Sequence, residues 1–337
     1  MNSAILAFAT TNGSCALVTD LTNKLPDARN FVAAGGRLLV SFGGAEGVYA
    51  EIACKNDDQL FSLMEKLMSD ANTRRFDFDI EGPQLKNVEG TARRARVLAR
   101  LQAKYPDLYV SFSLPGWLLG LGSDAMNLLN TTVEAGVRID MVNVMTQSFG
   151  VDNLRTMVSP STVGEASLMT VRAVANQMTS VFRSKTQGQI YAMMGITPMI
   201  GKNDDGATFT LDDAQTVANF ARQNGLGLIS YWSFQRDRAQ AHNGSNNLSS
   251  FSGVAQSDFQ FYNIFKSAGG GAVTAAAAPT QARAAAQTCS ASNWNEGKQY
   301  AAGSVVSYPD RKLYIAKVSN PGYDPTISTY YWSQYVC

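Results

Sequence analysis

Three carboxylates occupy alternate positions in Phe76-Asp77-Phe78-Asp79-Ile80-Glu81. On an extended strand successive side chains point to opposite faces. Asp77, Asp79 and Glu81 then share one face, and Phe76, Phe78 and Ile80 the other. The large apolar partners mark a core strand, and unpaired carboxylates are costly to bury. An acid-lined face on such a strand implies proton chemistry. Three like charges cannot all ionise cheaply, so the acids should share protons and titrate as a coupled set. Gly82-Pro83 ends the strand and leaves Glu81 at its C-terminal tip. Coupling can hold that carboxyl protonated near neutral pH, as general acid work requires. The competing reading, a solvated acidic edge strand, fits poorly with Phe76 and Phe78.

Such a face needs a scaffold. Strand-like segments recur at residues 4–10, 37–42, 75–80, 108–114, 140–146, 189–195 and 227–233. Helical stretches fill the gaps, for example 57–69, 90–104 and 211–224. Alternating apolar strands and helices predict an α/β fold with a parallel sheet. No G-x-G-x-x-G follows the first strand and no Walker sequence is present, so a nucleotide-binding sheet loses its main support. Polar residues recur at strand ends, at Ser41, Glu81, Gln147, Ser148 and Trp232-Ser233, which favours a closed TIM-type (β/α) barrel over an open sheet. Seven strands are found where that barrel needs eight, so the expectation is that one β/α unit is missing from the front of the chain.

Composition narrows the function classes. A chain of 337 residues with 45% hydrophobic content has room for a large domain and a small one. A formal net charge of +1 gives no long-range field for nucleic acid or anionic membrane. No apolar run reaches the roughly 18–20 residues of a membrane span. Met1-Asn2-Ser3-Ala4 lacks the features of a secretory leader, so either a leader has been removed or the chain begins inside a longer product. Residues 268–288 are rich in Ala and Gly and read as a linker between a body (1–267) and a tail (289–337). The four cysteines split into an early pair, Cys15 and Cys54, and a late pair, Cys289 and Cys337. This implies one disulfide per domain in an oxidising compartment, with free cytosolic thiols as the alternative. None forms a C-x-x-C pair, and the single histidine, His242, lies in a polar loop-like stretch, so no metal site is expected.

The body resembles glycoside hydrolase family 18, the chitinases. Asp77-Phe78-Asp79-Ile80-Glu81 is similar to the second half of that family's D-x-x-D-x-D-x-E signature. Ser41-Phe42-Gly43-Gly44 resembles its S-x-G-G segment, and Met145-Thr146-Gln147-Ser148-Phe149-Gly150 stands where its M-x-Y-D strand end would be. The run from Gly195 to Asp204 and the run Tyr231-Trp232-Ser233-Phe234-Gln235-Arg236-Asp237 resemble the bacterial chitinase-D-like branch. Three departures stand out. Arg74 occupies the place of the signature's first Asp, Gln147-Ser148 supplies no carboxylate, and the family's first strand is not in the chain. The tail resembles a small chitin-binding module of carbohydrate-binding module families 5 and 12. It does so through Trp294, Tyr300, Gly303, Val306, Tyr308, Tyr314, Ala316, Pro325, Trp332 and Cys337.

The resemblance implies a secreted, extracellular and monomeric chitinase that acts on chitin and chitooligosaccharides with no cofactor, no nucleic acid and no membrane partner. It assigns Glu81 as general acid and then base, Asp79 as the group that orients the substrate acetamide, and Asp77 as the group that keeps both poised. Substrate contacts are expected from Gln147, Ser148, Met145, Ser41 and Gly43, with Trp232 as the floor beneath the sugar. Tyr331 and Trp332, with Trp294, are the candidates for a chitin-docking face, and a Cys289–Cys337 bridge would staple the module. The rival reading is a chitin lectin on the same fold that binds without cleaving. An endoglycosidase on N-glycans would use the same acids but gain nothing from the tail.

Overall fold

The computed structural model describes residues 3–150, 162–241, 247–269 and, in the C-terminal part, 291–295, 297–301, 304–309, 312–317, 320, 322, 324–325 and 331–335. The chain divides into two units, Met1–Ala272 and Val273–Cys337. His242, Cys289, Cys337 and nearly all of the expected linker lie outside the described residues.

The first unit is built on seven parallel strands in chain order. They are β1 (Ser3–Ala9), β2 (Arg37–Gly43), β3 (Arg75–Asp79), β4 (Tyr109–Trp117), β5 (Met141–Met145), β6 (Met194–Thr197) and β7 (Leu228–Ile229). Each strand pairs with its sequence neighbour, and the helices between them cover one face, so the sheet curls as in a TIM-type α/β fold. Helices Thr19–Ala33, Asp57–Ala71, Val88–Lys104, Ser123–Glu134, Val163–Val181 and Leu211–Asn224 form the outer layer. The Leu211–Asn224 helix shows why the sequence folds locally as it does. Thr210 and Asp213 make a reciprocal capping box at its start, and Gly225 takes the left-handed conformation (φ +66°) at its end.

One strand differs from expectation. Residues 189–192 are helical, within Gln187–Ala192, and β6 begins only at Met194. Thr186 and Gln189 form a capping box that starts a helix there, and that local bonding outweighs the apolar run.

Strand parity separates the two faces. The outer face carries Val40, Phe42, Phe76, Phe78, Val110, Phe112, Val142 and Val144, all buried. Phe42 stacks on Phe78 at 5.3 Å, and Phe78 meets Phe112 at 5.5 Å. Helix Val88–Lys104 closes over them with Val97, Leu98 and Leu101, and its Arg94 forms a buried ion pair with Glu51. The inner face is polar. Ser41, Asp77 and Ser111 stand in register across β2, β3 and β4, and Asp79, Ser113 and Asn143 across β3, β4 and β5.

The second unit is a four-stranded sheet of Ser292–Asn293, Val305–Ser307, Leu313–Ala316 and Trp332–Tyr335. Its core is Tyr300, Val306, Tyr314, Ala316 and Trp332, with Trp294, Tyr308 and Tyr331 packed against it. Trp332 therefore does not sit on a docking face. It is 2% exposed, with its ring 5.2 Å from Tyr300, because so small a unit needs its largest side chain to fill the interior. Tyr331 and Trp294 remain partly exposed.

Candidate active site

β3 delivers Asp77 and Asp79 to the inner face, and Glu81 follows just past the strand end. Asp77 is 1% exposed, Asp79 is 8% exposed and Glu81 is partly buried. Asp77 is surrounded by donors. Ser41 Oγ donates to Oδ2 at 2.7 Å, Ser113 Oγ lies 3.1 Å from Oδ1 and 3.0 Å from Oδ2, and Ser111 adds a further hydrogen bond. Burial raises the Asp77 carboxyl above the ordinary range, and the hydroxyls offset only part of that rise.

Asp79 has no such company. Its Oδ1 is buried and without a hydrogen-bond partner. Burial raises this carboxyl well above the ordinary range, and the charges of Glu81 and Asp77 push it further the same way. Glu81 is also raised by burial, and a hydrogen bond with Asp79 moderates the rise. The physical picture is an Asp79 carboxyl that holds its proton and donates it to Glu81, beside an Asp77 whose hydroxyl partners favour its charged form.

The backbone beneath the pair is clamped. Gly44 N donates to the Asp79 carbonyl at 2.9 Å. The Tyr49 hydroxyl reaches the same carbonyl at 3.0 Å and Gly44 O at 2.9 Å, and it accepts from Glu81 N at 3.1 Å. This approach requires Gly43. Its φ is +102°, and a Cβ there would lie 2.1 Å from Asp79 O. Tyr49 was not a sequence candidate; it sits in the loop after β2, where no periodicity marks it.

The sheet ends meet in an aromatic pair. Phe8 of β1 stacks on Trp232, just beyond β7, with centroids 5.9 Å apart and planes at 15°. Phe8 also packs against Gly44, where a Cβ would come within 2.7 Å of its ring. Trp232 is thereby held near the Asp79 clamp, yet 42% of it is exposed. A half-exposed, stacked indole offers a flat apolar face to a ligand.

The remaining candidates lie at the end of β5 and just beyond it. Met145 is buried and pairs with Pro115 and Thr197. Gln147 is partly buried, and its Oε1 has no hydrogen-bond partner. Ser148 has φ +51°, and its N–H donates to Asn203 Oδ1 at 3.3 Å; Gly150 N donates to Asp205 Oδ2 at 2.8 Å. The loop after β6 thus ties down the segment that carries Gln147. Arg74 lies at the opposite end of β3, paired with Asp107 at 2.9 Å on the surface.

Elsewhere in this unit Cys15 and Cys54 form a disulfide. No described helix is long and apolar enough to cross a membrane.

No protein-family model matches the chain. The chain is 31% identical over 243 residues to a probable bifunctional chitinase/lysozyme of Escherichia coli K12, covering 69% of this chain and 27% of that protein. It is 31% identical over 211 residues to endochitinase 11 of Metarhizium anisopliae, covering 60% of this chain and 40% of that protein. The chain therefore spans less than half the length of these curated relatives. Among solved structures it is similar to the catalytic domain of a hyperthermophilic chitinase from Pyrococcus furiosus, with 27% identity and a TM-score of 0.69 over 79% of this chain and 86% of that one. Catalytic-site mutants from the same organism, complexed with chito-oligosaccharides, align with a TM-score of 0.68. These likenesses support the resemblance to the family 18 chitinases.

Proposed function

We propose that this chain is a chitinase of the glycoside hydrolase family 18 type that hydrolyses β-1,4 bonds between N-acetylglucosamine units with retention. The observation that carries the reading is the Asp79–Glu81 pair, a buried and a partly buried carboxyl side by side at the C-terminal end of a barrel-type sheet, both raised from the ordinary range by burial. In this reaction type the substrate's own N-acetyl group is the nucleophile. As the acetamide N–H reaches Asp79, Asp79 passes its proton to Glu81 and accepts the N–H instead. Glu81 then protonates the glycosidic oxygen as that bond breaks, and the acetamide oxygen bonds to the anomeric carbon. Asp79, now charged, stabilises the cationic oxazolinium ring. Water then attacks the anomeric carbon as the bond from that carbon to the acetamide oxygen breaks, Glu81 takes the water's proton, and that proton returns to Asp79 as product leaves. Asp77 stays ionised throughout.

Gln147 holds the acetamide oxygen by donating from its Nε2 N–H, and Gln147→Ala should lower kcat about tenfold, the cost of one directed hydrogen bond. Unchanged kcat would remove that role. Trp232 forms the floor of the cleavage subsite. Residues 1–267 act as the catalytic domain, joined by a 268–288 linker to a chitin-binding module at 289–337. Tyr331 and Trp294 are its contact candidates, and Cys289–Cys337 its staple. The enzyme is extracellular, consistent with the Cys15–Cys54 bridge. Soluble chitohexaose tests the reading. Shorter products that vanish in Glu81→Gln, with chitin binding retained, support it; binding without products would replace it with a lectin.

A further inference from the structure

A chain of hydrogen bonds crosses four strands and ends on Asp77. Thr197 Oγ1 of β6 donates to Asn143 Oδ1 of β5 at 2.9 Å. Asn143 Nδ2 donates to Ser113 Oγ of β4 at 2.9 Å. Ser113 Oγ in turn donates to Asp77 of β3. Asn143 is 2% exposed and Ser113 is 4% exposed, so the bonds from Asn143 to Ser113 and from Ser113 to Asp77 are shielded from solvent, and the one from Thr197 is part-buried. The fold makes room for the amide. Gly195 pairs with Asn143, and a Cβ on Gly195 would fall 2.6 Å from Asn143 Oδ1.

The order of donors gives the chain a direction. A threonine hydroxyl that donates to the amide oxygen leaves the amide NH₂ to face Ser113. A serine oxygen that accepts from that NH₂ turns its own hydrogen toward Asp77. Each bond polarises the next, and low-dielectric surroundings strengthen the effect. We infer that Asn143 and Thr197 are positioning residues: acting through Ser113, they keep a hydroxyl hydrogen on Asp77, hold Asp77 as the anion, and so confine the shared proton to Asp79 and Glu81. The inference rests on the reading of Asp77, Asp79 and Glu81 as the acid–base centre.

The other groups facing this cluster do not supply the same effect. Ser41 from β2 and Ser111 from β4 donate to Asp77 but are not tied to β5 or β6. Tyr109, also on β4, has its hydroxyl pushed up to about 12, mainly by burial, so it stays neutral. Tyr49 spends its hydroxyl on backbone groups.

The test follows the aspartate carboxyl carbons by ¹³C NMR through a pH titration in the full chain, beside the pH profile of kcat/KM on chitohexaose. In the wild type Asp77 should ionise at lower pH than Asp79. Thr197→Val should bring the two titrations closer, Asn143→Leu closer still, and Thr197→Ser should restore the wild-type separation. On the acidic side, kcat/KM should fall about tenfold in Asn143→Leu and less in Thr197→Val, as the loss of one buried donor predicts. Unchanged titrations in both Thr197→Val and Asn143→Leu, with only a lower melting temperature, would overturn the inference and leave a structural network. A wild type that shows the ordered titrations yet cleaves no chitohexaose would instead refute the chitinase reading. If Asn143→Leu does not fold, Thr197→Val and Thr197→Ser decide the matter.

Discussion

Asp77 and Asp79 stand two residues apart on one face of one strand, both buried, yet their surroundings are opposite. Asp77 accepts from three serines contributed by β2 and β4. Asp79 has a bare oxygen, a like charge on either side and a single bond to Glu81. Burial alone would push both carboxyls up alike. The difference in donor supply separates them: hydroxyls offset part of the effect of burial at Asp77, whereas Asp79, nearer the open strand end, is raised well above the ordinary range.

Glu81→Gln breaks the shared-proton pair outright and carries the largest effect. Chitohexaose turnover should fall about 10²- to 10⁴-fold, the usual worth of a positioned acid, while pull-down on insoluble chitin stays near wild type.

Asp79→Asn removes the proton's other holder. Turnover should fall about 10²-fold, at the lower end of the same range. The stability effect has a definite sign. A carboxyl raised in the folded state stabilises the fold below its unfolded titration, and that contribution is lost as pH rises through the folded one. Thermal melts should therefore show Asp79→Asn more stable than wild type on the alkaline side, with the gap closing toward acid. A gap that widens toward acid would contradict the assignment.

Gly43→Ala tests the clamp rather than the carboxyls. With φ +102° and a Cβ 2.1 Å from Asp79 O, it should cost about 1–3 kcal/mol by denaturant unfolding and loosen the Asp79 backbone. Ser41→Ala is the mildest change. It takes one donor from Asp77, should cost about 1 kcal/mol, and should make Asp77 resemble Asp79 slightly more, moving the acidic limb of the activity profile upward.

Much of this centre was legible in the chain. The alternation through Phe76 to Glu81 gave the face of each acid correctly, and the barrel-type strand order followed from the strand–helix alternation. Ser41 was expected to contact substrate but is buried and donates to Asp77 instead, and the other partners carry a signal in the chain. Ser111-Phe112-Ser113 repeats the polar–apolar alternation of the acid strand, and Asn143 stands between Val142 and Val144 in the same way. They lie one or two positions deeper than the strand ends, where a lone polar residue does not by itself mark a site. Trp332 failed for the opposite reason. An aromatic in a small unit can serve core or surface, and periodicity does not say which.

What the sequence determined by itself is parity: which side chains share a face, since that is a local property of extended backbone. Only the tertiary structure decided how differently the two buried aspartates are supplied with donors. The donors that hold Asp77 come from strands 36 residues away on either side, and their supply depends on register between strands, which no local pattern contains.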